Sequence, residues 1–329
     1  MNYKVKIKKP ILQITLVYFF DEKFVIFIAM LINTIKKFIL FLICTVVFMS
    51  CKKDLDNPLK IFLTSEIPSN TPIPFKQDLV PTDKLIHKGM FSPDLQEYYY
   101  TVSDKKFEKF DVYMIEKSNG KWSEPKKAFF NSSYSEHGMS FSPDGNTLYF
   151  SSTRPTFIDG VPTTWHIWKS EKMNGKWTSP VFVDIPNLKH KLVSHPTCTN
   201  SGTLYFHASD LDYSNMHVYR SRNISNVFQE AEKISINPKT GACTPFVSPN
   251  ENYLIFASLG NQLDLMISFS NENGKWLPPK KLNDTINDFG QGNPYITPDN
   301  KFLFYTTNKP QEENWCIKWA NLESVLKNN

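Results

Sequence analysis

The sequence predicts an all-β fold, a β-propeller of five four-stranded blades, and three observations predict it. A turn tract recurs five times: Phe91-Ser92-Pro93-Asp94, Phe141-Ser142-Pro143-Asp144-Gly145, Cys198-Thr199-Asn200-Ser201-Gly202, Val247-Ser248-Pro249-Asn250 and Ile296-Thr297-Pro298-Asp299. Each copy leads into a hydrophobic run: Tyr98-Tyr99-Tyr100, Leu148-Tyr149-Phe150, Leu204-Tyr205-Phe206, Leu254-Ile255-Phe256 and Leu303-Phe304-Tyr305. The positions aligned with Pro93 follow one another at steps of 50, 57, 49 and 49 residues. A period of this size marks a propeller or solenoid array.

Charge separates the N-terminal segment from the rest. The chain has 37 Lys and Arg against 32 Asp and Glu, a net +5. Residues 1–50 hold seven Lys and two acids, so the remaining residues balance at 30 against 30. A balanced domain has no electrostatic footprint for a polyanion, and nucleic acid is excluded as a partner. Lys36-Lys37, the apolar run Phe38 to Met49 and Ser50-Cys51 read as a secretory signal. The apolar run is short for a bilayer span. Phe48-Met49-Ser50-Cys51 resembles a bacterial lipobox. That resemblance implies cleavage before Cys51 and lipid on its thiol; the other reading is a plain transmembrane anchor. A second apolar stretch, Ile11 to Phe20, precedes the signal. Met30 is then the expected start, with residues 1–29 an over-long reading frame; a double membrane hairpin is the alternative.

Residues 51–70 are polar and rich in Pro, Ser and Thr, and read as a flexible tether. The propeller domain is expected over residues 71–329. In each repeat the first strand precedes the turn, as in Gly138 to Phe141, and the second follows it, as in Thr147 to Ser151. The turn has its own chemistry: Pro presets φ, Asp bonds its own backbone and Gly permits positive φ. Third strands are expected at Asp111 to Ile115, Trp165 to Lys169, Met216 to Arg220, Asp264 to Ser268 and Trp315 to Trp319. The fourth is expected to start at Gly120-Lys121-Trp122, Gly175-Lys176-Trp177 and Gly274-Lys275-Trp276, with Asn226-Val227-Phe228 in the third repeat. Pro125, Pro180 and Pro278 follow closely, and proline in a sheet belongs at an edge. The fifth repeat lacks this strand. Thr71 to Phe75 has the right spacing before Phe91 to supply it, and an N-terminal strand that completes the last blade closes the ring.

Cys198, Cys243 and Cys316 fall on expected strands with no Cys-x-x-Cys, and read as core thiols. Asp94, Asp144 and Asp299 recur at one turn position and read as structural. The positions that differ between repeats carry more information. His87 and Lys88, Glu136 and His137, Ser194 and His195, Cys243 and Thr244, and Gly292 and Asn293 open the innermost strands. They are expected to ring one mouth of the central channel. The candidate ligand-binding set is His87, Lys88, Glu136, His137, His195, Thr244 and Asn293. No metal or other cofactor is expected, since residues arcing around a channel need not converge to the roughly 2 Å of a metal–ligand bond. Loop aromatics Phe157, Trp165 and Tyr213 are candidates for stacking on a sugar or a protein.

Phe141 to Ser152, with Arg154 and with Trp165 to Ser170, resembles the WD40-like repeat of the TolB-type β-propellers, and the resemblance runs over residues 74–322. It implies an envelope module, periplasmic or at the outer-membrane surface, that binds protein or glycan. Together with the lipoprotein leader it resembles Bacteroidetes-type envelope proteins. The expected role is a monomeric, lipid-anchored, non-catalytic binding or scaffold module. The alternative is a five-bladed glycan-active hydrolase or lyase. Two-carboxylate hydrolysis needs its acids ~5–10 Å apart. Glu136, the pair Asp210 and Asp212, and the pair Asp284 and Asp288 are the only candidates.

Overall fold

The computed structural model describes residues 66–69, 71–76, 79, 84–236, 240–309 and 314–327. The leader, Cys51 and nearly all of the tether lie outside the described residues. Five antiparallel blades follow one another along the chain, each with its first three strands consecutive from the inside outward. The innermost strands are Leu85–Phe91, Glu136–Phe141, Leu192–Cys198, Ala242–Val247 and Gly290–Ile296. The second strands are Glu97–Ser103, Thr147–Ser152, Leu204–Ser209, Tyr253–Ser258 and Phe302–Lys309. The third strands are Phe110–Ser118, His166–Met173, His217–Ser221, Asp264–Phe269 and Asn314–Asn321. A helix, Leu322–Lys327, follows the last strand.

Three of the five turns between first and second strand solve one hydrogen-bonding problem in one way. Ser92, Ser142 and Thr297 donate a hydroxyl to Asp94, Asp144 and Asp299 at 2.6, 2.5 and 2.6 Å. The same hydroxyl oxygens accept from the backbone N–H of Glu97, Thr147 and Phe302 at 2.9, 2.9 and 3.1 Å. Leu95, Gly145, Gly202, Glu251 and Asn300 take positive φ at the matching point of the five turns. The turn aspartates therefore shape the blades, as the repetition of Asp94 predicts.

The outer edge departs from the expectation in a consistent way. Lys121–Trp122 pairs with Lys117 and Ser118 as the end of a tight hairpin, and only Lys126–Lys127, beyond Pro125, pairs with the middle of the third strand. Blade 2 repeats this with Lys176–Trp177 and Val181–Phe182. In blade 3 Asn223–Ile224 pairs with Val227–Phe228, and Glu232–Lys233 forms the edge. In blades 1 and 2 the fourth strand is thus broken at its proline, Pro125 or Pro180, which lacks the N–H a ladder needs, while blade 3 breaks at the same place without one. In blade 5 the edge is Ile73–Pro74, which pairs with Trp319 and Lys318, and Phe75 N–H donates to the Ile317 carbonyl at 2.8 Å.

The aromatic runs of the second strands are buried throughout, from Tyr98 to Phe304. They pack between sheets: Phe130 stacks on Phe150 at 4.4 Å, and Tyr99 meets Phe141 edge-on at 5.6 Å. Trp276 reaches the neighbouring blade at Tyr205, 6.0 Å away, whereas Trp122 lies against Phe91 of its own blade. Cys198 and Cys243 are buried and Cys316 half-buried, all three as free thiols.

Candidate functional site: an axial cavity

All five innermost strands carry a β-bulge, and the bulges create the site. The register slips between Ile86 and Gly89, His137 and Ser140, Ser194 and Thr197, Cys243 and Phe246, and Gly292 and Tyr295. In blades 2 to 5 the first bulged residue, Gly138, His195, Thr244 or Asn293, has φ of 60, 56, 44 or 53°. In blades 3 to 5 a proline follows, Pro196, Pro245 or Pro294, whose missing N–H cannot join a ladder. A bulge bends its strand and re-aims a side chain. Gly138 is needed twice over, because a Cβ there would lie 3.1 Å from the His195 Cα. Thr244 is the costly case: a β-branched residue at positive φ is held there by its surroundings, at a strain on the order of 1–3 kcal/mol.

These residues line a cavity of about 600 Å³. Of the predicted set, His87, Lys88, His137, His195, Thr244 and Asn293 lie on its wall. Glu136 does not, which corrects the expectation. It alternates to the opposite side of its strand, is fully buried, and binds Arg154 at 2.9 Å. Ser132 and Ser152 donate to the same carboxylate at 2.6 and 3.0 Å. Arg154 also donates to the Phe130 carbonyl and lies 5.3 Å from the Trp168 ring. Glu136 therefore anchors the blade wall.

The wall also holds residues that the sequence reading did not select. Phe107, Phe110 and Trp315 form an aromatic side against His87, with ring separations of 5.9, 5.3 and 5.1 Å. Gln291 is fully buried; its Nε2 donates to Asp288 at 2.8 Å and its Oε1 has no hydrogen-bond partner. The prolines inside apolar strands were the available signal for bulges, and hence for inward-aimed neighbours. Phe107 and Trp315, which come from a loop and from the start of a third strand, had none.

The histidines lie in a file and do not surround a common point. His137 is 4.4 Å from His195, which is 4.9 Å from His207, ring centre to ring centre. Trp165 closes on His137 at 3.9 Å. Among the described residues no group of His, Cys, Asp and Glu has metal-holding geometry. The His87 ring is bonded to Ser103 Oγ at 2.8 Å, and His207 Nδ1 accepts from Thr244 N–H at 3.1 Å. Burial lowers the pKa of His87 to about 4 and of His207 to about 3, and holds His137 and His195 well below the ordinary value. Desolvation disfavours the imidazolium, so at pH 7 all four rings are neutral.

A second cavity, of about 240 Å³, lies toward the turns and is lined by Met90, Met139, Phe246, Tyr295 and the turn prolines. Among the described residues Lys88 alone lines both cavities, and no Asp or Glu lines either one.

No family model and no curated protein matches this chain. Among solved structures it is similar to a putative TolB from Agrobacterium tumefaciens, with TM-score 0.47, 13% identity, and 75% of this chain and 80% of that one covered. TolB from Acinetobacter baumannii gives 0.45 and 13%, over 73% of this chain; the match spans 55% of that protein's length. An α-L-arabinofuranosidase from Podospora anserina, in complex with cellotriose, gives 0.46 and 11%, over 75% and 93%. The neighbours are thus mixed, TolB proteins beside a glycan-active enzyme. The five-bladed assignment rests on the strand pairing described above.

Proposed function

We propose that this chain is a non-catalytic, envelope-located propeller that binds a saccharide in the cavity lined by the bulged strands. The carrying observation is the composition of that wall. Aromatic rings of Phe107, Phe110 and Trp315 offer flat apolar faces, and Asn261, Gln262, Thr244 and Asn293 offer neutral polar groups beside them. A pocket that is mostly apolar with a few placed polar groups suits a small ligand or a chain end. Phe157 and Tyr213, exposed at 93% and 59%, stand on loops joining second and third strands, as do the cavity residues Phe107 and Gln262. They would extend the same face outward. Hydrolysis by two carboxylates finds neither acid among the described residues of this wall, which disfavours the hydrolase alternative. The envelope location and the lipid on Cys51 rest on the leader and on the repeat resemblance.

A glycan array with the full-length chain tests the reading. Binding is expected and should fall at least about fivefold in Trp315→Ala, since stacking and burial of one large aromatic contribute about 1–3 kcal/mol. An array without any bound glycan would refute it, as would glycan binding that is indifferent to Trp315.

A further inference from the structure

We propose that the saccharide carries a carboxylate, and that Lys88, at the floor of the cavity, is the group that recognises it. This rests on the saccharide reading above and adds the chemical class of the sugar.

The observation is a buried amine on the cavity wall with no ionic partner among the described residues. Lys88 is 4% exposed, at the bulge of the blade 1 inner strand, and it lines the cavities on both sides. Among the described residues it is the only Lys, Arg, Asp or Glu on either wall. Every other buried or half-buried cation with a carboxylate in reach uses it, as Arg154 uses Glu136 and Lys318 uses Asp288 at 2.8 Å. Lys88 has no ion pair among the described residues. A buried charge without a partner is expensive, and chains rarely keep one without a use. A ligand carboxylate would supply the missing partner through a charge-assisted hydrogen bond.

The groups around Lys88 leave the charge to it alone. His87 flanks it on its own strand. His137 and His195, on the inner strands of blades 2 and 3, are held neutral by burial, with smaller pushes from neighbouring histidines and from Lys88. His207 lies behind them, Cys243 is pushed up to about 11, and Tyr295 is raised further. Burial lowers Lys88 itself to about 7. Below that value the empty cavity holds an ammonium. Above it the amine is neutral and must take up a proton to bind an anion, so affinity should fall about tenfold per pH unit until the pKa of the bound state is reached.

The test uses the full-length chain and trisaccharides of glucuronate, galacturonate and mannuronate, each beside its carboxyl-reduced counterpart, by calorimetry at pH 6 and pH 9. At least one acidic trisaccharide should bind about tenfold or more tightly than its reduced form at pH 6. At pH 9 it should bind more weakly, with proton uptake. Lys88→Met, close in volume and uncharged, should erase the preference for the acidic form. Equal binding of the two forms would overturn the acidic-sugar inference while the saccharide reading stands. So would a preference that survives in Lys88→Met, or neutral glycans bound and acidic ones refused. Failure of every glycan would end both. Acetate and inorganic phosphate run alone separate the sources of the anion: either one binding as tightly as the acidic sugar would overturn the sugar in favour of a free ion.

Discussion

At the turn end of the inner strands, five blades repeat one arrangement: a Ser or Thr hydroxyl bonded into the turn, and one residue at positive φ. At the bulged end the same five strands place His87 with Lys88, Gly138, His195, Thr244 and Asn293, no two blades alike. The bulge itself is common to all five, while its occupant is not. A backbone irregularity can therefore be as much part of a repeat as a turn, with the individuality of each blade confined to side chains that the irregularity aims inward. Stability is expected to reside in the first end and recognition in the second.

The largest expected effect breaks that comparison at one residue. Lys88 sits at about 7 in the fold against an ordinary 10.5, so between those pH values the unfolded chain binds more protons. Stability of the wild type should therefore rise with pH across 7 to 10.5, by up to about 5 kcal/mol. Lys88→Met should lack this slope and be the more stable protein at pH 7, as urea unfolding at a series of pH values would show; parallel curves would contradict the assignment. Next, Glu136→Ala removes one partner of a buried pair and should lower stability by about 3–5 kcal/mol, because Arg154 is left uncompensated. Its ligand preferences should be unchanged when measured below its melting point. A stable Glu136→Ala protein with altered binding would return Glu136 to the recognition end. Third, Asp144→Ala removes the bonds from Ser142 and Asn146 and should cost about 1–2 kcal/mol, with binding untouched. The smallest effect carries the opposite sign. Thr244→Gly relieves positive φ at 44° and should stabilise by up to about 1 kcal/mol, while it weakens binding by freeing a wall residue.

Much of this architecture was legible because propeller repeats write their turns in residue types with few substitutes. Pro93 and Asp94 can be read directly, and the missing fifth edge strand could be found by spacing alone at Ile73–Pro74. Two features were not legible for physical reasons. The Gly-Lys-Trp tracts are attractive as strands, yet Pro125 forces the chain to leave and rejoin the ladder, and a two-residue pairing has no periodicity to detect. Glu136 was grouped with His137 because the two are adjacent. Neighbours on a strand face opposite sides, and only the register showed which side was the channel. The aromatic wall depends on Phe107 and Trp315 meeting from different blades, which is tertiary information that no local pattern contains.

The pairing of Ile73–Pro74 with Lys318 and Trp319 has a consequence in time. A strand synthesised near the start of the domain has its partner only after roughly 250 further residues, on the order of 10–50 s later at ordinary elongation rates. Blades 1 to 4 can form in sequence from local hairpins while that strand waits. The ring is then latched in one late, long-range event, so a nascent or truncated chain should stall as an open arc, its last edge still seeking a strand.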